Sequence, residues 1–97
     1  MDSLELSTLK LEILNLAQDL VLSTYKDEKQ ISEEDITVEI LDVANRYLEF
    51  VEQDDFKFNI LIIAHTRGIE TDLKFLDEKT QTVLDIANSY LNFTITE

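Results

Sequence analysis

Residues 56–64 read Phe56-Lys57-Phe58-Asn59-Ile60-Leu61-Ile62-Ile63-Ala64, and whether this run is strand or helix decides the fold class. Residues 56–60 alternate apolar and polar as a half-buried strand does, and 60–64 is a short apolar, largely β-branched run. The flanks point the other way. Asp54 or Asp55 stands where a helix N-cap belongs, and Gly68 stands one residue past Arg67, where a left-handed C′ residue would stop a helix. The flanking signals predict a short helix over 55–67. The alternative pairs 56–63 as a strand with the alternating tail Phe93-Thr94-Ile95-Thr96, giving a small α+β fold with a two-stranded sheet over 56–63 and 93–96.

Outward from this run the helical period is plain. Upstream, Ile36, Ile40, Val43, Tyr47 and Phe50 step by 4, 3, 4 and 3 residues. Ser32 precedes them as an N-cap, and Glu33, Glu34 and Asp35 set negative charge at the positive end of the helix dipole. Earlier still, Leu6, Leu9, Ile13, Leu16 and Leu20 step by 3, 4, 3 and 4. Downstream, after a Thr71 cap, Leu73, Leu76, Thr80, Val83, Ala87 and Tyr90 step by 3, 4, 3, 4 and 3. Helices are predicted over 4–25, 32–53, 55–67 and 72–93, with the charged stretch Lys26-Asp27-Glu28-Lys29-Gln30 as a solvated connection. With no proline and one glycine in 97 residues, a turn-rich sandwich or barrel lacks its punctuation. The expected fold is all-α: one acidic domain over 1–97, built as two helical hairpins.

An internal repeat supports the pairing. Residues 41–50, LDVANRYLEF, match residues 84–93, LDIANSYLNF, at seven of ten positions. The second and fourth helices are therefore expected to present one surface. Ala44 and Ala87 would allow close approach, and Tyr47 and Tyr90 would bury their rings with the hydroxyls at the rim.

Catalytic signatures are sparse. The absence of cysteine removes disulfides and thiolate chemistry, and His65 is the only histidine. Its expected role is to help satisfy the carbonyls of a last helical turn. Gly68, the only glycine, cannot build a phosphate-binding Gly-rich loop. Asp27-Glu28 and Asp54-Asp55 would attract divalent ions no more than any exposed carboxylate pair does. Residues 64–69 could form the turn of a helix-turn-helix, but Glu70, Thr71 and Asp72 are poor readers of a DNA groove. No catalytic residue, metal site or cofactor is expected, and the chain is read as non-enzymatic. The opening Met1-Asp2-Ser3-Leu4-Glu5 lacks a secretory leader's cationic region, and the longest apolar run is five residues against the roughly 20 that span a bilayer. A cytoplasmic protein is expected, in host cytoplasm if the chain is viral.

Charge placement is the informative feature. Of the 21 acidic and 8 basic residues, 27–55 hold eleven acids and two bases, so a net −9 of the chain's −13 sits there. Asp35, Glu39, Asp42, Arg46, Glu49 and Gln53 step by 4, 3, 4, 3 and 4, forming one ridge along the second helix, with Asp42 able to pair with Arg46. Glu52, Asp54 and Asp55 extend it. Such a ridge is either a solvated face or a surface for a basic protein partner. In the second case it would imitate a nucleic acid and block a nucleic-acid-binding or defence protein, with no direct binding to nucleic acid or membrane. A different reading takes Phe56, Phe58 and Ile62, with Ile60 and Ile63, as an apolar surplus that makes a homodimer seam. In size, charge and helix count the chain resembles the acidic four-helix immunity proteins that neutralise bacterial nuclease toxins. The tyrosine pair those proteins carry around a short third helix is absent, and Ile60-Leu61-Ile62-Ile63-Ala64 stand in its place.

Overall fold

A computed structural model describes residues 2–26 and 31–96, and the charged connection 27–30 lies outside them. Four helices follow one another: α1 (Ser3–Thr24), α2 (Glu33–Val51), α3 (Asp55–Ile69) and α4 (Leu76–Ile95). Among the described residues there is no strand, so the two-stranded alternative is excluded. Residues 56–63 lie inside α3 and 93–95 inside α4. The β-branched run is overruled by a start signal and a buried face. The Asp54 carboxylate accepts from the Phe56 and Lys57 N–H groups at 2.8 and 3.4 Å, and Ile60, Leu61, Ala64 and Gly68 recur at helical spacing against the core.

Two hairpins form, α1 along α2 and α3 along α4. The core runs through both: Leu9, Ile13, Ala17, Leu20 and Val21 from α1, Val43, Tyr47 and Val51 from α2, Ile60, Leu61 and Ala64 from α3, and Leu76, Val83 and Ala87 from α4. Each fully buried Val, Leu or Ile contributes about 1.5–3 kcal/mol of transfer free energy. The Cα envelope is 47 × 31 × 15 Å, and its depth is that of two stacked helices. Ser32 caps α2 as expected, its hydroxyl accepting from the Asp35 N–H at 3.1 Å.

Several local expectations are corrected. Gly68 does not stop α3 in a left-handed conformation; the helix runs on to Ile69, and no glycine has positive φ. Its missing side chain serves packing instead, because a Cβ there would overlap Val83 Cγ2 of α4. The same continuous helix removes the helix-turn-helix reading of 64–69. Thr71 does not cap α4, which begins four residues later than expected, at Leu76 with Phe75 as N-cap. The Thr71 hydroxyl instead donates back to the Gly68 carbonyl at 2.8 Å and closes the end of α3. The non-Gly residues Glu52 and Gln53 take the left-handed conformation, with φ 51° and 59°, and turn the chain sharply between the hairpins. The Lys57 ammonium spans that turn to Glu52 at 3.3 Å.

Repeat symmetry stops at the sequence. Tyr47 is fully buried with its hydroxyl in the interior, whereas Tyr90 is half-buried with the Arg67 guanidinium donating to its hydroxyl at 3.3 Å. Ala87 is buried but Ala44 only half so. The two helices present different faces to the core, and the rim position expected of both tyrosines holds for Tyr90 alone.

Candidate functional site

Two arrangements carry polar chemistry. The first is interior and was not foreseen. Tyr47 of α2, His65 of α3 and Asp19 of α1 form one hydrogen-bonded chain across three helices. The His65 Nε2 atom lies 3.2 Å from Asp19 Oδ2 and Nδ1 lies 3.0 Å from the Tyr47 hydroxyl. An ionised carboxylate only accepts, so Nε2 carries the proton, and Nδ1 accepts from the Tyr47 O–H. The two rings meet edge to face, 5.8 Å between centroids. The residue expected to serve helix-end carbonyls therefore ties both hairpins together; its nitrogens have better partners than a last-turn carbonyl. Burial lowers the His65 pKa below the usual imidazole range, and Lys79 adds to this, while the Asp19 hydrogen bond and charge oppose it. Burial also pushes the Tyr47 hydroxyl far above its usual range, with Asp19 adding to the rise and Arg46 opposing it, so it stays a neutral donor. The order carboxylate, imidazole, hydroxyl is that of a nucleophile relay, yet the tyrosine is 0% exposed and offers no approach to a substrate.

The second arrangement is the acidic flank of α2. Asp35, Asp42 and Glu49 are exposed along it. None of the three carboxylates has an ion pair or side-chain hydrogen bond among the described residues. At 1.5 Å per residue they stand about 10 Å apart over some 20 Å. The other ridge members are engaged. Glu39 is half-buried and its Oε2 accepts from the Tyr25 hydroxyl at 2.7 Å. Arg46 does not pair with Asp42; its guanidinium reaches α4 instead, 3.6 Å from Asp77 and donating to Gln81 Oε1 at 3.1 Å. That crossing gives the guanidinium two α4 acceptors and links α2 to α4 at the surface. Glu52 is held by Lys57, Asp54 serves as the α3 cap, and Asp55 is exposed in the first turn of α3.

Beside Glu39 and Asp42 lies a groove of about 420 Å³ between α2 and the start of α4. Val38 and Phe75 line it and both are largely exposed, Phe75 to 70%. Asp77 adds a third carboxylate to its wall. An aromatic face ringed by carboxylates suits a guanidinium or ammonium, which gains a cation–π contact with the ring as well as charge pairing.

Of the apolar residues expected to form a seam, Phe56 and Ile62 are exposed, as is Ile63. Phe58 packs against the core and Ile60 is buried, so neither belongs to an exposed face. Among the described residues no group of three or more His, Cys, Asp or Glu could hold a metal ion, and no helix is long and apolar enough to cross a membrane. Comparison with the models of known protein families, with curated proteins and with solved structures finds no match, which leaves the geometry of the site as the ground for function.

Proposed function

We propose that this chain is a non-enzymatic cytoplasmic binding protein, an inhibitor or regulator. In this reading the acidic flank of α2 meets a basic nucleic-acid-binding or defence protein in the manner of a nucleic acid. One observation carries the reading. Asp35, Asp42 and Glu49 stand at seven-residue intervals, exposed and unpaired among the described residues, in a segment that concentrates −9 of the −13 charge. Asp35, in the first turn of α2, gains from the helix dipole, whereas Asp42 and Glu49 have no partner there and give the fold nothing. A complementary basic cleft would be steered toward them, with faster association and a fixed orientation. The groove with Phe75 offers an anchor for one basic side chain beside the middle of the ridge, at Asp42. The inaccessible hydroxyl of Tyr47 supports binding over turnover.

The test is capture of basic proteins from the source cell by immobilised chain, at about 50 and about 200 mM salt, followed by competition with duplex DNA or RNA. The reading expects a salt-labile basic partner that nucleic acid displaces and that D35N/D42N/E49Q fails to retain. Retention by that variant at low salt would make the flank a solvent face only.

A second reading is favoured by the exposure of Phe56, Ile62 and Ile63 on α3. These would form a homodimer seam in an assembly protein. Sedimentation of Ile63→Asp and Phe56→Asp decides it: a dimer in the parent and a monomer in either variant supports the seam, and a monomeric parent removes it.

A further inference from the structure

Among the described residues, positive charge gathers in a cavity remote in role from the acidic flank. Lys79 is in the first turns of α4 and is only 3% exposed, yet it makes no ion pair or hydrogen bond among the described residues. Its stem is buried while its ammonium keeps contact with solvent, as a long cationic side chain does when it carries its charge to an open surface. Lys79 lines a cavity of about 400 Å³ between the end of α1 and the link that joins α3 to α4. Lys26 and Lys74 line the same cavity, so three of the chain's six lysines converge on it. Their charge exceeds that of Glu70 and Asp72, the two carboxylates in its wall. Ser23 and Thr24 also line it, and their hydroxyls already donate to the Leu20 carbonyl at 2.9 and 2.8 Å.

We propose that this cavity is a binding site for a phosphate group, free or as a small phosphomonoester, with Lys79 at its base and Lys26 and Lys74 at its mouth. The volume is in the range of small-molecule sites, and ammonium groups bind phosphate as point charges. Burial lowers the Lys79 pKa, with Lys26 adding to this and Asp72 opposing it. A bound dianion supplies the missing counter-charge and reverses that shift. The two wall carboxylates disfavour a bulky polyanion, which would have to pass both, and favour one compact group.

The experiment is an NMR titration of the full chain at constant ionic strength, exchanging chloride for inorganic phosphate in one arm and for phenyl phosphate in the other. The proposal expects saturable shifts confined to residues around Ser23, Thr24, Thr71 and Lys79, with a rise in the Lys79 pKa. Lys79→Met, which keeps the buried stem, is expected to weaken binding at least about tenfold, the loss of a charge-assisted contact. Lys26→Gln and Lys74→Gln are expected to weaken it several-fold, and the remote Lys10→Gln to leave it unchanged. Saturation by inorganic phosphate alone identifies a free-ion site, and tighter binding of phenyl phosphate an ester site. Linear, non-saturating shifts in both arms, or affinity retained in Lys79→Met, overturn the proposal.

Discussion

Removing one oxygen from the interior tests how the two hairpins are joined. In Tyr47→Phe the ring and its packing remain, but His65 Nδ1 loses the donor 3.0 Å away. His65 is 3% exposed, so water cannot replace that donor. The imidazole cannot escape by changing tautomer, because a proton moved to Nδ1 would find no acceptor and would leave Nε2 as a lone pair facing the Asp19 carboxylate, 3.2 Å away. The cost is that of an orphaned buried acceptor, about 1–3 kcal/mol, more than the roughly 1 kcal/mol net value of an ordinary hydrogen bond. In a domain of this size each kcal/mol lowers Tm by roughly 4–8 °C. Urea unfolding followed by far-UV circular dichroism at pH 7.5 reads the difference. The double variant Tyr47→Phe/His65→Leu removes both partners and is expected to cost less than the sum of its single changes. A Tyr47→Phe stability within about 0.3 kcal/mol of the parent, less than any loss expected for an orphaned acceptor, would refute the interior network as the joint between the hairpins.

Acidification should act through the same group. The His65 pKa is lower folded than unfolded, so between the two values the unfolded chain binds more protons. Stability is then full above about pH 6.5, falls as pH drops below it, and ceases to fall on this account once folded His65 is protonated. Asp19→Asn removes the group that holds the folded pKa up, and should deepen that loss while costing under about 1 kcal/mol at neutral pH. Gly68→Ala should destabilise by about 1–2 kcal/mol by urea unfolding despite alanine's better helix propensity, since its methyl overlaps Val83 Cγ2, and Val83→Ala in the same chain should recover part of the loss. Gln53→Gly should stabilise by about 0.5–1 kcal/mol, because Gln53 holds φ 59° and glycine takes that conformation without steric cost.

The architecture was legible because amphipathic periodicity is a local property. The 3–4 stripes of α1, α2 and α4 and the caps at Ser32 and Asp54 need only neighbours a turn away. What was hidden depends on distant partners. Asp19 and His65 are 46 residues apart, and nothing local pairs them. A signal did exist: Tyr47 sits at the centre of the apolar stripe of α2, where a buried hydroxyl must find a partner, and His65 is on the buried face of α3. Gly68 was read by its conformational freedom when its lack of volume was the property in use. Arg46 was assigned its nearest acid in sequence, whereas the side chain crosses to Asp77 and Gln81. The 41–50 and 84–93 repeat misled for a related reason. Identical residues fix the shape of a helix face, but the burial of that face depends on how the helix is rotated in the bundle, so Tyr47 and Tyr90 differ.

The central claim is that unpaired carboxylates on α2 recognise a basic partner. Calorimetric titration of the captured partner with the parent chain and with D35N/D42N/E49Q, across a series of salt concentrations, tests it most directly. The account predicts affinity that falls steeply with salt for the parent, and at least about tenfold weaker, nearly salt-independent binding for the variant. Equal affinities with equal salt dependence would contradict it.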